Sequence, residues 1–150
     1  MLDTDMPVPG PFCTDDITRG VCRYLRNLGY SPLTEFKLIS KRRVDVIGLD
    51  GKGRFIIIEI KSSVSDFRAD TKWHEYPPYG DQFYFCVANG FPVEILPKGC
   101  GVIIADPYNA AVLIDAPVQA LNAVRRRYQH IQFAKIAADR LHRVNDPKIC

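Results

Sequence analysis

One run in the middle of the chain, Phe55-Ile56-Ile57-Ile58-Glu59-Ile60, limits the fold more than any other feature. A strand alternates its side chains between two faces, and this run is apolar on both, so it belongs in the centre of a sheet covered on both sides. The same alternation puts Glu59 and Lys61 on one face with Ile57, and Ile56, Ile58 and Ile60 on the other. Two opposite charges therefore interrupt a face that should be buried. Unpartnered burial of charge costs several kcal/mol, so the pair is either an ion pair closing the strand end or a site open to a cation and solvent.

The preceding segments fit beside it. Leu33 to Ile39, Arg43 to Leu49 and Arg54 to Lys61 read as an antiparallel meander, with Asp50-Gly51-Lys52-Gly53 supplying hairpin turn chemistry between the last two. A hairpin centred there brings Asp45 near Glu59, so two carboxylates and an ammonium are expected to converge. Oxygen ligands of this kind suit magnesium or manganese, and a metal with a lysine beside it is apparatus for phosphodiester hydrolysis. The acid-x-lysine triplet alone decides nothing, because Glu35-x-Lys37, Asp50-x-Lys52, Asp70-x-Lys72 and Asp146-x-Lys148 share it. Only Glu59-x-Lys61 closes a central strand one hairpin after a strand containing an aspartate. Glu35, on the first strand, is a further metal ligand or a solvent-facing residue.

The rest of the chain completes an α/β sandwich, a central mixed sheet flanked by helices. Ile17, Val21, Tyr24, Leu25 and Leu28 step at helical spacing between the caps Thr14, Asp15 and Asp16 and the stop at Gly29. A short helix is expected from Ser65 to Trp73, ahead of Pro77 and Pro78. Strands follow at Phe83 to Ala88, Val102 to Ala105 and Ala111 to Ile114, the last two paired across Asp106-Pro107-Tyr108-Asn109. Pro117 suits the first position of a long final helix whose apolar stripe is Leu121, Val124, Tyr128, Ile131, Ala134, Ala138 and Leu141. The expected organisation is an irregular arm over residues 1–13, one domain over 14–145 and a tail over 146–150.

Composition excludes whole classes. At 150 residues, 47% hydrophobic and 25% charged, the chain suits one soluble domain rather than a disordered or repetitive protein. It has no apolar run of membrane-spanning length, and Asp3 and Asp5 stand where a signal peptide carries basic residues, so a cytoplasmic location is expected. Five cysteines without a CxxC pair point to free thiols. His74, His130 and His142 lack metal-ligand spacing, and Ser62 and Ser63 suit backbone hydrogen bonding better than nucleophilic chemistry. The net charge of +3 hides an asymmetry: four acids, Asp3, Asp5, Asp15 and Asp16, precede the first basic residue, and the chain beyond them carries +7. Arg125, Arg126, Arg127, Lys135, Arg140, Arg143 and Lys148 crowd the final stretch, which makes a phosphate-bearing partner plausible, although three successive arginines cannot share one helix face. Trp73, Tyr76 and Tyr79 either stack on bases or pack beneath a loop.

Asp45, followed fourteen residues later by Glu59-Ile60-Lys61 on a helix-then-three-strand core, resembles the restriction-endonuclease-like nucleases with the PD-(D/E)xK motif. The wider string is similar to the MmcB-like family of bacterial DNA repair proteins within them. It comprises Arg43-Val44-Asp45-Val46, Glu59-Ile60-Lys61-Ser62-Ser63, Asp66-Phe67-Arg68-Ala69-Asp70, Lys72-Trp73 and Asp81-Gln82-Phe83-Tyr84-Phe85. Ala105-Asp106 and the basic final helix fit as well, so the similarity runs from about residue 12 to 143. Val44 departs from the motif's proline. The resemblance implies a restriction-endonuclease-like fold, a magnesium or manganese cofactor held by Asp45 and Glu59, and a catalytic set of Asp45, Glu59 and Lys61. Glu35, Arg43, Ser63, Asp66, Asp70, Lys72 and Trp73 are further candidates for the site or for DNA contacts. DNA is the expected partner, with other repair proteins beside it. A second reading is a catalytically silent DNA-binding or scaffold module that keeps the fold, and a third is a stable domain with a purely structural ion triad.

Overall fold

The computed structural model describes residues 12–148; residues 1–11, the greater part of the expected arm, and residues 149–150, the end of the expected tail, lie outside them. The first helix, α1 (Thr14–Asn27), turns Ile17, Gly20, Val21 and Leu25 inward at the three- and four-residue spacing of its sequence. Gly29, at φ 89°, adopts the left-handed conformation that lets the Tyr30 N–H close the helix on the Leu25 carbonyl.

Six strands follow in one sheet whose spatial order is the sequence order: β1 (Ser31–Lys37), β2 (Arg43–Leu49), β3 (Phe55–Lys61), β4 (Gln82–Val87), β5 (Gly101–Ala105) and β6 (Ala110–Ile114). β1, β2 and β3 form the expected antiparallel meander, β3, β4 and β5 are parallel, and β6 returns antiparallel to β5. The β2–β3 turn is held by Asp50, whose carboxylate accepts the N–H groups of Lys52 and Arg54, both at 2.9 Å. All seven residues of β3 are buried. Ile56, Ile58 and Ile60 pack with Ile17, Val21 and Leu25 in one layer, while Ile57 packs with Phe36, Phe85 and Phe133 in the other. β3 is therefore the doubly covered strand that its composition requires.

Two helices differ from expectation. The helix after β3, α2 (Val64–Ala69), is capped by the Ser63 hydroxyl, which accepts the Asp66 N–H, and stops before Asp70. Asp70 is extended because its carboxylate binds Lys61 and the Lys72 N–H, and only single 3-10 turns, Trp73–Glu75 and Pro77–Tyr79, continue to the prolines. The final helix, α3 (Ala123–Asn145), starts six residues after Pro117, where Asn122 accepts the N–H groups of Val124 and Arg125. Gln119 ties the extended stretch before it to the Gly80 and Asp81 carbonyls at the start of β4.

The expected apolar stripe of α3 faces away from the sheet: Val124, Tyr128, Ile131 and Leu141 are all exposed. The face that docks carries Gln129 and Phe133, and polar groups seat it. Gln129 donates to the Tyr79 carbonyl at 2.7 Å, and the His130 ring nitrogen meets the Gly53 carbonyl at 2.8 Å. Cys13, Cys22, Cys86 and Cys100 are free thiols. No helix among the described residues is long and apolar enough to cross a membrane.

Close packing of α1 gives a direct test of this arrangement. A Cβ at Gly20 would run into the Asp106 carbonyl oxygen in the β5–β6 turn. Gly20→Ala is expected to lower stability by about 1–3 kcal/mol in urea unfolding, the usual cost of overpacking. An unchanged midpoint would mean that α1 does not sit on that turn.

Candidate functional site

The β2–β3 ladder pairs Leu49 with Phe55 and runs to Val46 with Ile58, which places Asp45 directly across from Glu59. There side chains take over from the main chain. The Asp45 N–H donates to Glu59 Oε1 at 3.0 Å, and the Ile60 N–H donates to Asp45 Oδ2 at 2.8 Å. Each carboxylate is thus anchored by the strand that carries the other. Glu59 is 4% exposed and Asp45 half-buried. Burial, then the charge of Asp45, pushes the Glu59 carboxyl up to about 8. Burial likewise raises Asp45, against the Ile60 hydrogen bond and the Lys61 charge, which favour its ionised form. No buried side-chain oxygen among the described residues lacks a partner, so the second oxygen of each carboxylate, which accepts no hydrogen bond, opens toward solvent.

Lys61 is also buried, but its ammonium does not join Asp45 and Glu59 in an ion pair. Nζ lies 2.6 Å from Oδ2 of Asp70, nine residues further on. Burial works against ionisation of Asp70, yet the Lys61 hydrogen bond and the Lys72 N–H outweigh it and hold the carboxyl below its usual range. The expected triad is therefore a row of four, Asp45, Glu59, Lys61 and Asp70, in which the first two groups crowd like charges and the last two neutralise each other. Tyr76 adds a fifth group. Its phenol is pushed up to about 12 by burial and by the charges of Glu59, Asp70 and Asp45. Only tertiary placement reveals it, because the turn that carries Tyr76 has no periodic pattern.

The remaining candidates sit around this row without joining it. Glu35, between the pairs Thr34 with Val46 and Phe36 with Val44, is exposed at φ 48°, and Arg140 holds its carbonyl at 3.0 Å. Arg43 is exposed at the start of β2 and Lys72 on the surface. Ser63 caps α2, and Asp66 accepts the Ser62 N–H at 3.2 Å. Trp73 is half-buried, with its ring edge-on to Phe85 at 5.2 Å and stacked on His74, so it packs beneath the loop rather than standing free for a base. Of the three successive arginines, Arg126 is bound to Asp81, Arg125 lies over the Tyr79 ring, and Arg127 is exposed with Lys135.

Among the described residues no three His, Cys, Asp or Glu side chains are placed to hold a metal together. Asp45 and Glu59 form a two-carboxylate half-site, with free oxygens and hard-ligand chemistry that fit magnesium or manganese; the other ligands of such an ion would be water and substrate oxygen.

Residues 13–148 match the family model described as DNA repair protein MmcB-like. A solved structure, the SPO1766 protein of unknown function from Silicibacter pomeroyi, shares 43% identity over 87% of this chain and 90% of that one, with a TM-score of 0.84. No curated protein matches the chain.

Proposed function

We propose, since the chain belongs to the DNA repair protein MmcB-like family, that it is a divalent-cation-dependent nuclease that hydrolyses the DNA backbone at the Asp45, Glu59 and Lys61 end of β3. One observation carries this reading: two carboxylates are pressed together at the end of the central strand, both shifted toward holding a proton. Crowding like charges in a buried place is costly, and a bound cation removes the cost. The arrangement also supports placing the chain among the PD-(D/E)xK nucleases.

Asp45 and Glu59 would hold magnesium or manganese. When bound, such an ion polarises a phosphoryl oxygen and makes a water more acidic. The chain's own groups do the rest. The Asp45 N–H and Ile60 N–H each anchor one oxygen of a carboxylate and leave the other oxygen without a hydrogen bond. Lys61, paired with Asp70, is held in place to orient water and to stabilise the additional negative charge on phosphorus. Asp70 is a positioning residue: it sets where Nζ stands. The exposed cations Arg127 and Lys135 add attraction for the phosphate backbone.

The test is cleavage of single-stranded, duplex and branched DNA by purified protein with manganese. Wild type is expected to cut at least one of them, and Asp45→Asn to cut none at a comparable rate. A non-cutting DNA-binding module is the second reading. It is favoured by the carboxylate count of two and by the pairing of Lys61 with Asp70. Binding without cleavage under any condition decides for it.

A further inference from the structure

Beyond the carboxyl ends of β3, β4 and β5 lies a cavity of about 840 Å³ that takes no part in holding the carboxylates. The three strands are parallel, so the chain leaves all of them at one end of the sheet, and the segments from Ser62, Ala88 and Asp106 form the walls. This volume suits a small organic group.

The lining specifies which kind of group. Phe91 and Tyr108 contribute rings, Ile104 and Ala111 apolar surface, and Asn89 and Asn109 amides. Among the described residues no lysine or arginine lines the cavity, so its described walls offer a phosphate no cation. It fits an uncharged flat ring with hydrogen-bonding edges. Tyr108 is 75% exposed, and the Asp106 carboxylate fixes the turn that presents it by accepting the N–H groups of Tyr108 and Asn109 at 2.8 and 2.9 Å. Such a ring is a stacking platform, and stacking is tolerant of which base it meets. The cavity begins one residue beyond β3: Ser62, in its wall, directly follows Lys61.

We propose that this cavity receives an unpaired nucleobase of the DNA strand whose phosphodiester lies at the Asp45, Glu59 and Lys61 end of β3, so that the substrate carries at least one base outside the duplex. The proposal rests on the DNA-cleaving reading above and adds substrate structure to it. Fully paired DNA keeps its bases stacked, and extruding one costs energy that a bulge or single strand does not demand.

The test is equilibrium binding of the full chain, with calcium as the divalent cation, to a duplex carrying one bulged 2-aminopurine and to the same duplex fully paired. The bulged duplex is expected to bind about tenfold tighter, the scale of one base stacked on an aromatic ring, with a change in 2-aminopurine emission. Tyr108→Ala removes the platform, and Ala111→Trp fills the cavity from an exposed position; each is expected to erase the preference while leaving affinity for the paired duplex unchanged. Equal affinities for the two duplexes, or a preference that survives Ala111→Trp, overturn the cavity proposal and leave the cleavage reading standing. Failure of wild type to bind either duplex overturns both.

Discussion

Glu59→Gln is expected to abolish metal-dependent DNA cleavage and, in the same variant, to flatten a loss of stability that wild type shows as pH rises from about 4.5 to about 8. The two effects share one cause. The Glu59 carboxyl holds its proton more tightly in the fold than in the unfolded chain, so its stabilising contribution is complete below 4.5 and is lost as pH climbs to about 8. Asp45 acts in the same direction, while the charge of Lys61 opposes it. Asp50, Asp70 and Asp81 are shifted downward, so they lose their contributions only as pH falls below the ordinary carboxylate range, outside this window. Glutamine keeps the shape and an oxygen for the Asp45 N–H, but it neither ionises nor holds a cation well. A metal's share of transition-state stabilisation is several kcal/mol, which at 1.36 kcal/mol per factor of ten is a loss of at least about a hundredfold in rate. Thermal melts from pH 5 to pH 8, with and without manganese, and a cleavage assay measure both effects. Manganese should raise the wild-type Tm more at pH 8 than at pH 5 and leave Glu59→Gln unmoved. A variant that still cuts, or that is destabilised at pH 8 with the wild-type slope intact, would show that Glu59 is only a structural group.

How far this site was legible in the sequence follows from what fixed each part of it. Strand period two and the Asp50 to Gly53 turn bring Asp45 near the Glu59 end of β3, but the exact register was not countable: a four-residue turn pairs Asp45 with Ile58, whereas the five residues between Leu49 and Phe55 set it across from Glu59. The partner of Lys61 could not be placed at all. Asp70 reaches it because α2 ends after six residues and the chain turns back, a tertiary event that leaves no periodic trace. Tyr76 was visible as an aromatic residue but not as a neighbour of carboxylates, for the same reason.

The final helix shows the opposite failure. Val124, Tyr128 and Ile131 form a regular apolar stripe, and hydrophobic spacing assigns that stripe to the core, whereas the structure turns it outward. Hydrogen bonds from Gln129 and Arg126 to loop carbonyls and to Asp81 decide the helix's rotation, and hydropathy counts those residues as surface. An arginine that reads as a DNA contact is in fact a latch.

That latch predicts the largest stability effect in the molecule. Arg126 Nη1 donates to Asp81 Oδ2 at 3.0 Å and to the Gly53 carbonyl at 2.8 Å, and Nη2 donates to Asp81 Oδ1. Asp81, 5% exposed, also accepts the Phe55 N–H at 2.7 Å, so one carboxylate joins α3 to the starts of β3 and β4. Burial alone would raise the Asp81 carboxyl, but the Arg126 hydrogen bonds and the Phe55 N–H outweigh it and hold the group ionised below its usual range. Arg126→Met keeps most of the side-chain length and strands that charge. Removing one partner of a buried pair costs about 3–5 kcal/mol, and the partial exposure of the arginine side chain places the expected loss toward about 3. Urea unfolding measures it, and the two single variants with the double variant Arg126→Met/Asp81→Asn isolate the coupling. Because Phe55 begins β3, whose far end carries Glu59 and Lys61, and Asp81 precedes the parallel β4, Arg126→Met should leave the cleavage rate unchanged at temperatures where the variant is folded. A variant with wild-type stability, or one that is folded and stable yet inactive on DNA, would move Arg126 from latch to site. The two buried ion pairs of the described residues then separate by experiment: the one at Asp81 is expected to hold the fold, and the one at Lys61 to hold an ammonium in place at the proposed cleavage site.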